Sequence, residues 1–433
     1  MEWYIAALGA IGLLLFLLAI GMPIPFAFAS VGAIGIFITG GFGKLFIVAQ
    51  LSHDTLVEFI LITVPLFIFM AEVIFAAGFS KELFNAFEKW IGRLPGGLAL
   101  ASIGTCSLFS AVCGSSWVTA ATIGKMAVPE MLNRGYDKRL ASGALAAGGT
   151  LGILIPPSLA FIIYGFMSDT SIGHLFVGGI VPGIILSLCF ALIIMGQTTL
   201  FPSMARPPEP SSWKERLHAT VAIWPVVLVA IVVLGSIYLG VTTPSEAAAV
   251  GSMLSLILSF AYRRMGLRDL GNALVRTLYT TGFILFLLIG AKIFSFLLAD
   301  QGVANALAQI CESLGSPLYI LLGTYVLLTI MGMVMEGMSI LVLFTPVFVP
   351  ILKAVGFDQV WFGIILTLFI ETALITPPVG INCYIIRDIT TPYGVGLGDI
   401  FKGVLPFLVG LFVTIVLVTI YPNLVLWLPG TMR

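Results

Sequence analysis

The sequence reads GGTLGILIPPS at residues 148–158 and ETALITPPVGIN at residues 371–382, and these two stretches decide the fold. Each places two consecutive prolines inside a long apolar segment that continues on both sides. Proline removes a backbone donor and blocks the helical turn before it, so each stretch predicts a spanning helix that is interrupted at depth. Carbonyls freed inside hydrocarbon need protein, water or an ion as a partner. Two such breaks in matching positions indicate the substrate and ion site of a transporter.

The composition is that of a polytopic membrane protein. Of the 433 residues, 59% are hydrophobic and only 9% are charged, whereas soluble domains carry about 25% charged residues. We therefore expect an all-α protein that crosses the lipid bilayer many times. Its net charge of zero gives no indication of a nucleic-acid partner.

The segment before the first break is crowded with serine and threonine, which suits a re-entrant helical hairpin, with its tip at 110–116, better than a lipid-facing span. The sequence predicts two halves joined by a proline-rich cytoplasmic linker at 201–218. The first half, at 1–200, contains a hairpin at about 95–131 and a broken helix at about 142–165. The second half, at 219–433, contains a hairpin at about 317–352 and a broken helix at about 359–386.

The two halves repeat. Pro157 and Pro378 are 221 positions apart, and so are Pro129 and Pro350, which close the two predicted hairpins. If the N-terminus is periplasmic, 15 of the 20 basic residues fall in cytoplasmic loops, as basic residues prefer. The same arrangement makes the hairpins enter from opposite faces, which predicts an inverted repeat.

Carbonyls freed at the breaks, together with atoms of the hairpin tips, can form small oxygen cages of the kind that hold sodium in transporters. The first predicted Na+ site comprises Ser110, Cys113, Gly152, Ile155 and Pro157, and the second comprises Gly332, Ala373, Thr376 and Val379. The alternative is that the breaks are only kinks that improve helix packing.

Residues near the tips and at the starts of the resumed helices are candidates for binding substrate. A helix N-terminus offers free N–H groups and positive partial charge, which suit a carboxylate. The candidates are Ser115, Ser116, Thr119, Ser158, Gly337 and Asn382. The alternative for the hydroxyls is hydrogen bonding to carbonyls one turn earlier.

Charged side chains within apolar segments need partners, because an isolated charge is costly there. Both structural ion pairing and a substrate role stay open for Glu72, Lys125, Lys292, Glu336 and Glu371.

Enzyme signatures are absent from the sequence: it contains no G-x-S-x-G, H-E-x-x-H or Walker motif. We therefore expect that the protein is not an enzyme. A remote alternative is an intramembrane serine hydrolase that uses Ser115 or Ser116 with His174.

Several motifs resemble a known family. FSAVCGSS at 109–116, ATIG at 121–124 and VPEM at 128–131, with the two double-proline stretches, are similar to the large membrane subunit of TRAP (tripartite ATP-independent periplasmic) transporters, of DctM or SiaM type. The resemblance implies an elevator-type sodium symporter of the ion transporter superfamily, located in the bacterial inner membrane. A mobile transport domain of hairpins and broken helices would move against a scaffold formed by 4–40, 81–93 and 221–262.

The resemblance also implies partners and substrates. The partners would be a small four-helix membrane subunit of DctQ type and a periplasmic substrate-binding protein of DctP type. The substrates of the family are mostly carboxylates, such as C4-dicarboxylates, sialic acid, keto acids and sugar acids. An alternative within the superfamily is a sodium-dicarboxylate symporter that needs no binding protein.

Carried over by position, the two sodium sites of the family fall on the same two groups of residues. Two departures stand out, since Cys113 replaces a usual serine and Ala373 a usual glycine. Both are tolerable if those ligands are backbone carbonyls.

Overall fold

The structure is a computed structural model that describes residues 3–205, 211–303, 306, 309 and 316–432. Within these ranges every regular element is helical, which confirms the all-α prediction. In the part of the chain that the structure describes, eight helices are long and apolar enough to cross a membrane, or nine if the bent pair around the first double proline counts as one span. By the length and composition of its helices, the chain is a multi-span membrane protein.

The helices of the first half include a hairpin and a broken helix at the predicted places. They are α1 Trp3–Ala19, α2 Ile24–Lys44, α3 Phe46–Val57, α4 Thr63–Ala76, α5 Phe79–Ile91, α6 Gly97–Cys113, α7 Ser116–Asn133, α8 Lys138–Leu154, α9 Leu159–Ser168 and α10 Ile172–Leu200. The first hairpin is α6 and α7, and the first broken helix is α8 and α9.

The second half follows the same order. Its helices are α11 Trp213–Tyr238, α12 Pro244–Ala261, α13 Leu267–Asp300, α14 Pro317–Gly332, α15 Gly337–Ala354, α16 Gln359–Ile375, α17 Ile381–Thr390, α18 Leu397–Ile420 and the single turn α19 Asn423–Leu426. The second hairpin is α14 and α15, and the second broken helix is α16 and α17.

The segment between the halves is shorter than the predicted linker at 201–218. Residues 206–210 lie outside the described residues. α11 begins at Trp213, where Ser212 and Glu215 form a capping box. The polar residues after Ser212 therefore belong to the first turns of α11 rather than to a linker.

Two pairs of helices related by the repeat pack closely, α2 against α13 and α4 against α12. Two glycines allow α2 and α13 to come this close. A Cβ placed on Gly290 would lie 2.6 Å from the Pro25 carbonyl oxygen. A Cβ placed on Gly32 would lie 2.9 Å from backbone atoms of Ile293 and Phe294. Such contacts bring the helix backbones together as small residues do in membranes.

The hairpins and broken helices interlock across the two halves. α7 of the first hairpin packs against α17, which follows the second break, and α15 of the second hairpin packs against α9, which follows the first break. Each hairpin therefore packs against the helix that follows the break in the other half.

Candidate ion and substrate site

The first double proline separates α8 from α9, whose axes differ by 41°. Because Pro156 and Pro157 have no N–H, the carbonyls of Gly152 and Ile153, four residues earlier, lose their helical donors. The Ser158 hydroxyl donates to the Ile153 carbonyl. The Ile153 carbonyl therefore has a side-chain donor in place of its helical one, whereas the Gly152 carbonyl has lost its helical donor.

The tip of the first hairpin rests on this break. Gly114, between α6 and α7, has a φ of 64°, which glycine adopts without strain. The Leu159 N–H donates to the Gly114 carbonyl at 3.3 Å. A Cβ placed on Gly114 would lie 2.6 Å from the Pro157 carbonyl oxygen. The tip and the connection after the double proline are thus in backbone contact.

Gly152 forms a second contact between tip and break. A Cβ placed there would lie 2.5 Å from the Ser115 carbonyl oxygen and 2.8 Å from the Ser116 nitrogen. Of the first predicted sodium group, the structure brings Gly152 and Pro157 next to the tip where α6 ends at Cys113. The side chain of Ile155 lies against α10, where a Cβ on Gly183 would be 2.7 Å from it.

Ser110, Cys113 and Thr119, at or close to this tip, are buried. The Ser110 hydroxyl donates to the Cys106 carbonyl at 2.5 Å, and the Cys113 thiol lies 3.7 Å from the Ser115 carbonyl. The Ser110 bond is the local kind that the alternative interpretation describes, although the hydroxyl oxygen can still accept or bind a cation. The Thr119 hydroxyl is fully buried and has no hydrogen-bond partner among the described residues.

The second double proline repeats the backbone chemistry of the first. Pro377 and Pro378 have no N–H, so the carbonyls of Ala373 and Leu374 lose their helical donors. Ala373 stands 221 positions after Gly152 and is its counterpart in the repeat. One freed carbonyl in each half therefore occupies the same place relative to its break.

The second tip lies against the second break through Gly332 at the end of α14. A Cβ placed on Gly332 would lie 3.0 Å from the Ala373 Cβ. The Thr376 hydroxyl donates to the Thr372 carbonyl at 2.6 Å. Val379 is half-buried in the connection that follows. Gly332 and Ala373 of the second predicted group are thus adjacent.

Both tips face one shared cavity of about 150 Å³. The first tip contributes Ser115 and Ser116, the second contributes Glu336 and Gly337, and α13 forms a third wall with Thr280. Three candidate substrate residues, Ser115, Ser116 and Gly337, therefore line the same space between the two halves.

The other three candidates do not line this cavity. The buried Asn382 amide donates to the Ser116 hydroxyl at 2.9 Å and to the Ala146 carbonyl at 3.1 Å. Ser158 donates to a carbonyl of its own break and accepts from the Phe161 N–H at 3.5 Å. Thr119 is buried in α7. In this structure Asn382 joins the second broken helix to the first hairpin tip.

The embedded charges divide into different environments. Glu72 pairs with Arg276 at 3.7 Å, and the Lys292 ammonium lies 4.5 Å from the centre of the Phe166 ring. Lys125 is exposed. The other two embedded charges are carboxylates. The Glu336 side chain caps α15. Glu371 is fully buried, and neither of its carboxylate oxygens has a hydrogen-bond partner within the described residues. Ion pairing therefore accounts for Glu72 alone among them.

Sequence reasoning missed the third wall of the cavity. Thr280, Phe283 and Ile284 face it from α13, a long apolar helix in which no local motif distinguishes them. A larger cavity of about 650 Å³, lined in part by Asp169 and Lys292, was also not predicted. It lies at the junction of α9 and α10, away from both breaks.

Comparison with known proteins places these features in a family context. Residues 11–424 match the family model described as "Tripartite ATP-independent periplasmic transporter, DctM component". The C4-dicarboxylate TRAP transporter large permease protein DctM of Pseudomonas aeruginosa is 34% identical, over 87% of this chain and 88% of that protein. The sialic acid TRAP transporter large permease protein SiaM of Vibrio cholerae is 31% identical, over 95% and 96%. These relatives are permeases and not enzymes.

Another relative is longer than this chain. The isethionate TRAP transporter permease protein DctMQ of Oleidesulfovibrio alaskensis is 33% identical over 93% of this chain, which spans only 63% of that protein. Among solved structures, the YdaH transporter of Alcanivorax borkumensis has a similar fold, with a TM-score of 0.62 at 16% identity, over 88% of this chain and 89% of that one.

Proposed function

Because the chain belongs to the DctM family of tripartite ATP-independent periplasmic transporters, we propose that it takes up an organic acid across the bacterial inner membrane together with sodium ions. The observation that carries this proposal is the pair of carbonyls, at Gly152 and Ala373, that the double prolines leave without helical donors. Inside a bilayer such oxygens need a partner, and a sodium ion is a suitable one.

The first sodium ion would lie where the first tip meets the first break. The Gly152 carbonyl would supply one ligand, and Ser110, Cys113, Ile155 and Pro157 would supply the others. If Cys113 binds through its carbonyl, a thiol in place of a hydroxyl does not weaken the site.

The second sodium ion would lie at the corresponding place in the other half. The Ala373 carbonyl would be its counterpart of the Gly152 ligand, with Gly332, Thr376 and Val379 completing the set. The close approach of Gly332 to Ala373, where a Cβ on Gly332 would lie 3.0 Å from the Ala373 Cβ, supports this assignment.

The substrate would bind in the cavity between the two tips, with the N-terminus of α7 directed at its carboxylate. Sodium ions behind each tip would hold the tips in place, so that sodium and substrate favour each other's binding. Transport would follow an elevator mechanism: the interlocked hairpins and broken helices would carry the cavity past α13, while α13 and α2, which pack closely on each other, stay in place.

Two partners complete the proposed system. A small membrane subunit of DctQ type would join the scaffold, and a periplasmic binding protein of DctP type would deliver the acid. The N-terminus would face the periplasm, in keeping with the distribution of basic residues.

The test is uptake into proteoliposomes that contain this chain with its small subunit, measured with and without the binding protein. We expect uptake in a sodium gradient and none when potassium replaces sodium. Uptake that is indifferent to the cation would refute sodium coupling. Full activity without the binding protein would instead support the binding-protein-independent symporter.

A further inference from the structure

Arg216, at the start of α11, lies against two tryptophans at the protein surface. Its guanidinium carbon is 5.2 Å from the centre of the Trp213 ring and 5.8 Å from the centre of the Trp90 ring. The two rings meet edge to face, with their centres 6.1 Å apart. A guanidinium at such distances is attracted to aromatic faces. Because Trp90 belongs to α5, this cluster joins α5 to α11.

Two other described arginines also lie over aromatic rings, and each of them has a carboxylate partner. Arg264 pairs with Glu82. Arg276 pairs with Glu72. Arg216 forms no ion pair among the described residues, and its buried Nε has no hydrogen-bond partner there. Its guanidinium therefore lacks the anion that the other two arginines have, and an anion from outside the chain can supply it.

The cluster lies where the lipid-facing surface of α11 begins. Trp213, Leu217 and Val221 follow one another at helical spacing and are 68%, 60% and 67% exposed. α11 has 26 residues, whereas about 20 are enough to cross the hydrocarbon core, so its first turns reach the headgroup region. Tryptophan is enriched at this level of a membrane, and arginine near a helix end extends its charge towards it. This arrangement places Arg216 at the level of the lipid phosphates.

The surroundings of the cluster carry an excess of positive charge. The end of α5 and the start of α11 hold four basic and two acidic residues, which are Lys89, Arg93, Lys214 and Arg216, and Glu88 and Glu215. Both acidic residues pair elsewhere: Glu88 lies 2.9 Å from Arg134, and Glu215 lies 3.9 Å from Lys89. Basic clusters at the membrane surface favour anionic lipids over zwitterionic ones.

We propose that Arg216, Trp90 and Trp213 bind the phosphate of an anionic phospholipid. The guanidinium would donate to the phosphate oxygens, and the two rings would pack against the glycerol and the upper part of the acyl chains. The bound headgroup would hold the end of α5 against the start of α11. The ligand is a membrane lipid and not the transported acid or its coupling ion, so the proposal goes beyond the proposed function.

The experiment is native mass spectrometry of the full chain in detergent, titrated with phosphatidylglycerol and separately with phosphatidylcholine that has the same acyl chains. We expect the unmodified protein to bind its first phosphatidylglycerol about tenfold more tightly than phosphatidylcholine, because hydrogen bonds between charged groups are the stronger kind. Arg216→Gln should bring the two affinities to within about twofold of each other. Arg216→Lys keeps the charge but loses the planar group that stacks on the rings, and should retain only part of the preference.

Arg268→Gln is the matched control. It also removes an arginine, from the first turn of α13, and Arg268 is exposed and lies over no aromatic ring in the described part of the chain. This variant should keep the preference of the unmodified protein. An equal loss in Arg216→Gln and Arg268→Gln would show that the net charge alone attracts the lipid, and would overturn the proposed site.

Two further outcomes would also overturn the lipid proposal. Displacement of phosphatidylglycerol by excess inorganic phosphate would assign the site to a free anion. Loss of the preference when the small membrane subunit is bound would assign this surface to that subunit.

A second measurement keeps the test valid if Arg216→Gln is less stable than the unmodified protein. Phosphatidylglycerol should raise the melting temperature of the unmodified protein and of Arg268→Gln, because a ligand that binds the folded state stabilises it. It should not raise the melting temperature of Arg216→Gln. An equal rise in all three proteins would contradict the assignment of Arg216.

Discussion

Replacement of Gly152 by alanine is expected to lower the apparent sodium affinity of transport. The new Cβ would lie 2.5 Å from the Ser115 carbonyl oxygen, 2.6 Å from its carbon and 2.8 Å from the Ser116 nitrogen. All three are backbone atoms, so no side-chain rotation relieves the overlap. The methyl group can be accommodated only if the first hairpin tip moves away from the first break, which would pull apart the proposed ligands.

The size of the effect follows from the overlap. Overpacking in a dense interior costs about 1–3 kcal/mol. If this penalty falls mainly on the sodium-bound arrangement, sodium binding weakens by roughly 5- to 150-fold, since each 1.4 kcal/mol is a factor of about ten. The assay is the initial rate of uptake into proteoliposomes as a function of sodium concentration, with potassium chloride maintaining the ionic strength.

Gly196→Ala is the matched control, because it makes the same substitution in α10 at a position with no heavy atom within 4 Å of the new Cβ. It should titrate with sodium like the unmodified protein. The reasoning is refuted if Gly152→Ala folds, transports and shows the same half-saturating sodium concentration as Gly196→Ala.

Two further substitutions probe the second half. Thr376→Ala removes a hydroxyl beside the second break and should raise the half-saturating sodium concentration by roughly 3- to 10-fold, the worth of one modest interaction; an unchanged titration would argue against Thr376 as a ligand. Asn382→Ala removes the buried hydrogen bonds to Ser116 and to the Ala146 carbonyl and should destabilise the protein by about 1–3 kcal/mol. A melting temperature in detergent equal to that of the unmodified protein would mean that this bond between the halves contributes no stability.

The interrupted helices were predictable because the effect of proline on the backbone does not depend on tertiary context. The first break lies between Leu154 and Leu159, and the second between Ile375 and Ile381, both at the double prolines. The start of α11 was also readable: Ser212 and Glu215 have the spacing of a capping box. The predicted linker nevertheless extends to residue 218, past the start of α11 at Trp213, because the prolines and charged residues around this position are typical of a linker.

Contacts between distant segments were not predictable from composition or spacing. Ser116 and Asn382 are 266 positions apart and meet only because α7 packs against α17. The sequence suggested both as substrate residues, and their polar atoms turn out to bond to each other. The third wall of the cavity, on α13, likewise depends on how the halves pack.

The duplication gives a physical reason why some features match between the halves and others do not. Freed carbonyls at Gly152 and Ala373 follow from the backbone alone, so any copy that retains its double proline retains them. The cap of a hairpin helix depends on one side chain, and it differs: the first tip leaves the N-terminus of α7 open, whereas Glu336 closes that of α15. The duplication therefore preserves what the backbone dictates, whereas a feature that depends on a single side chain can differ between the halves.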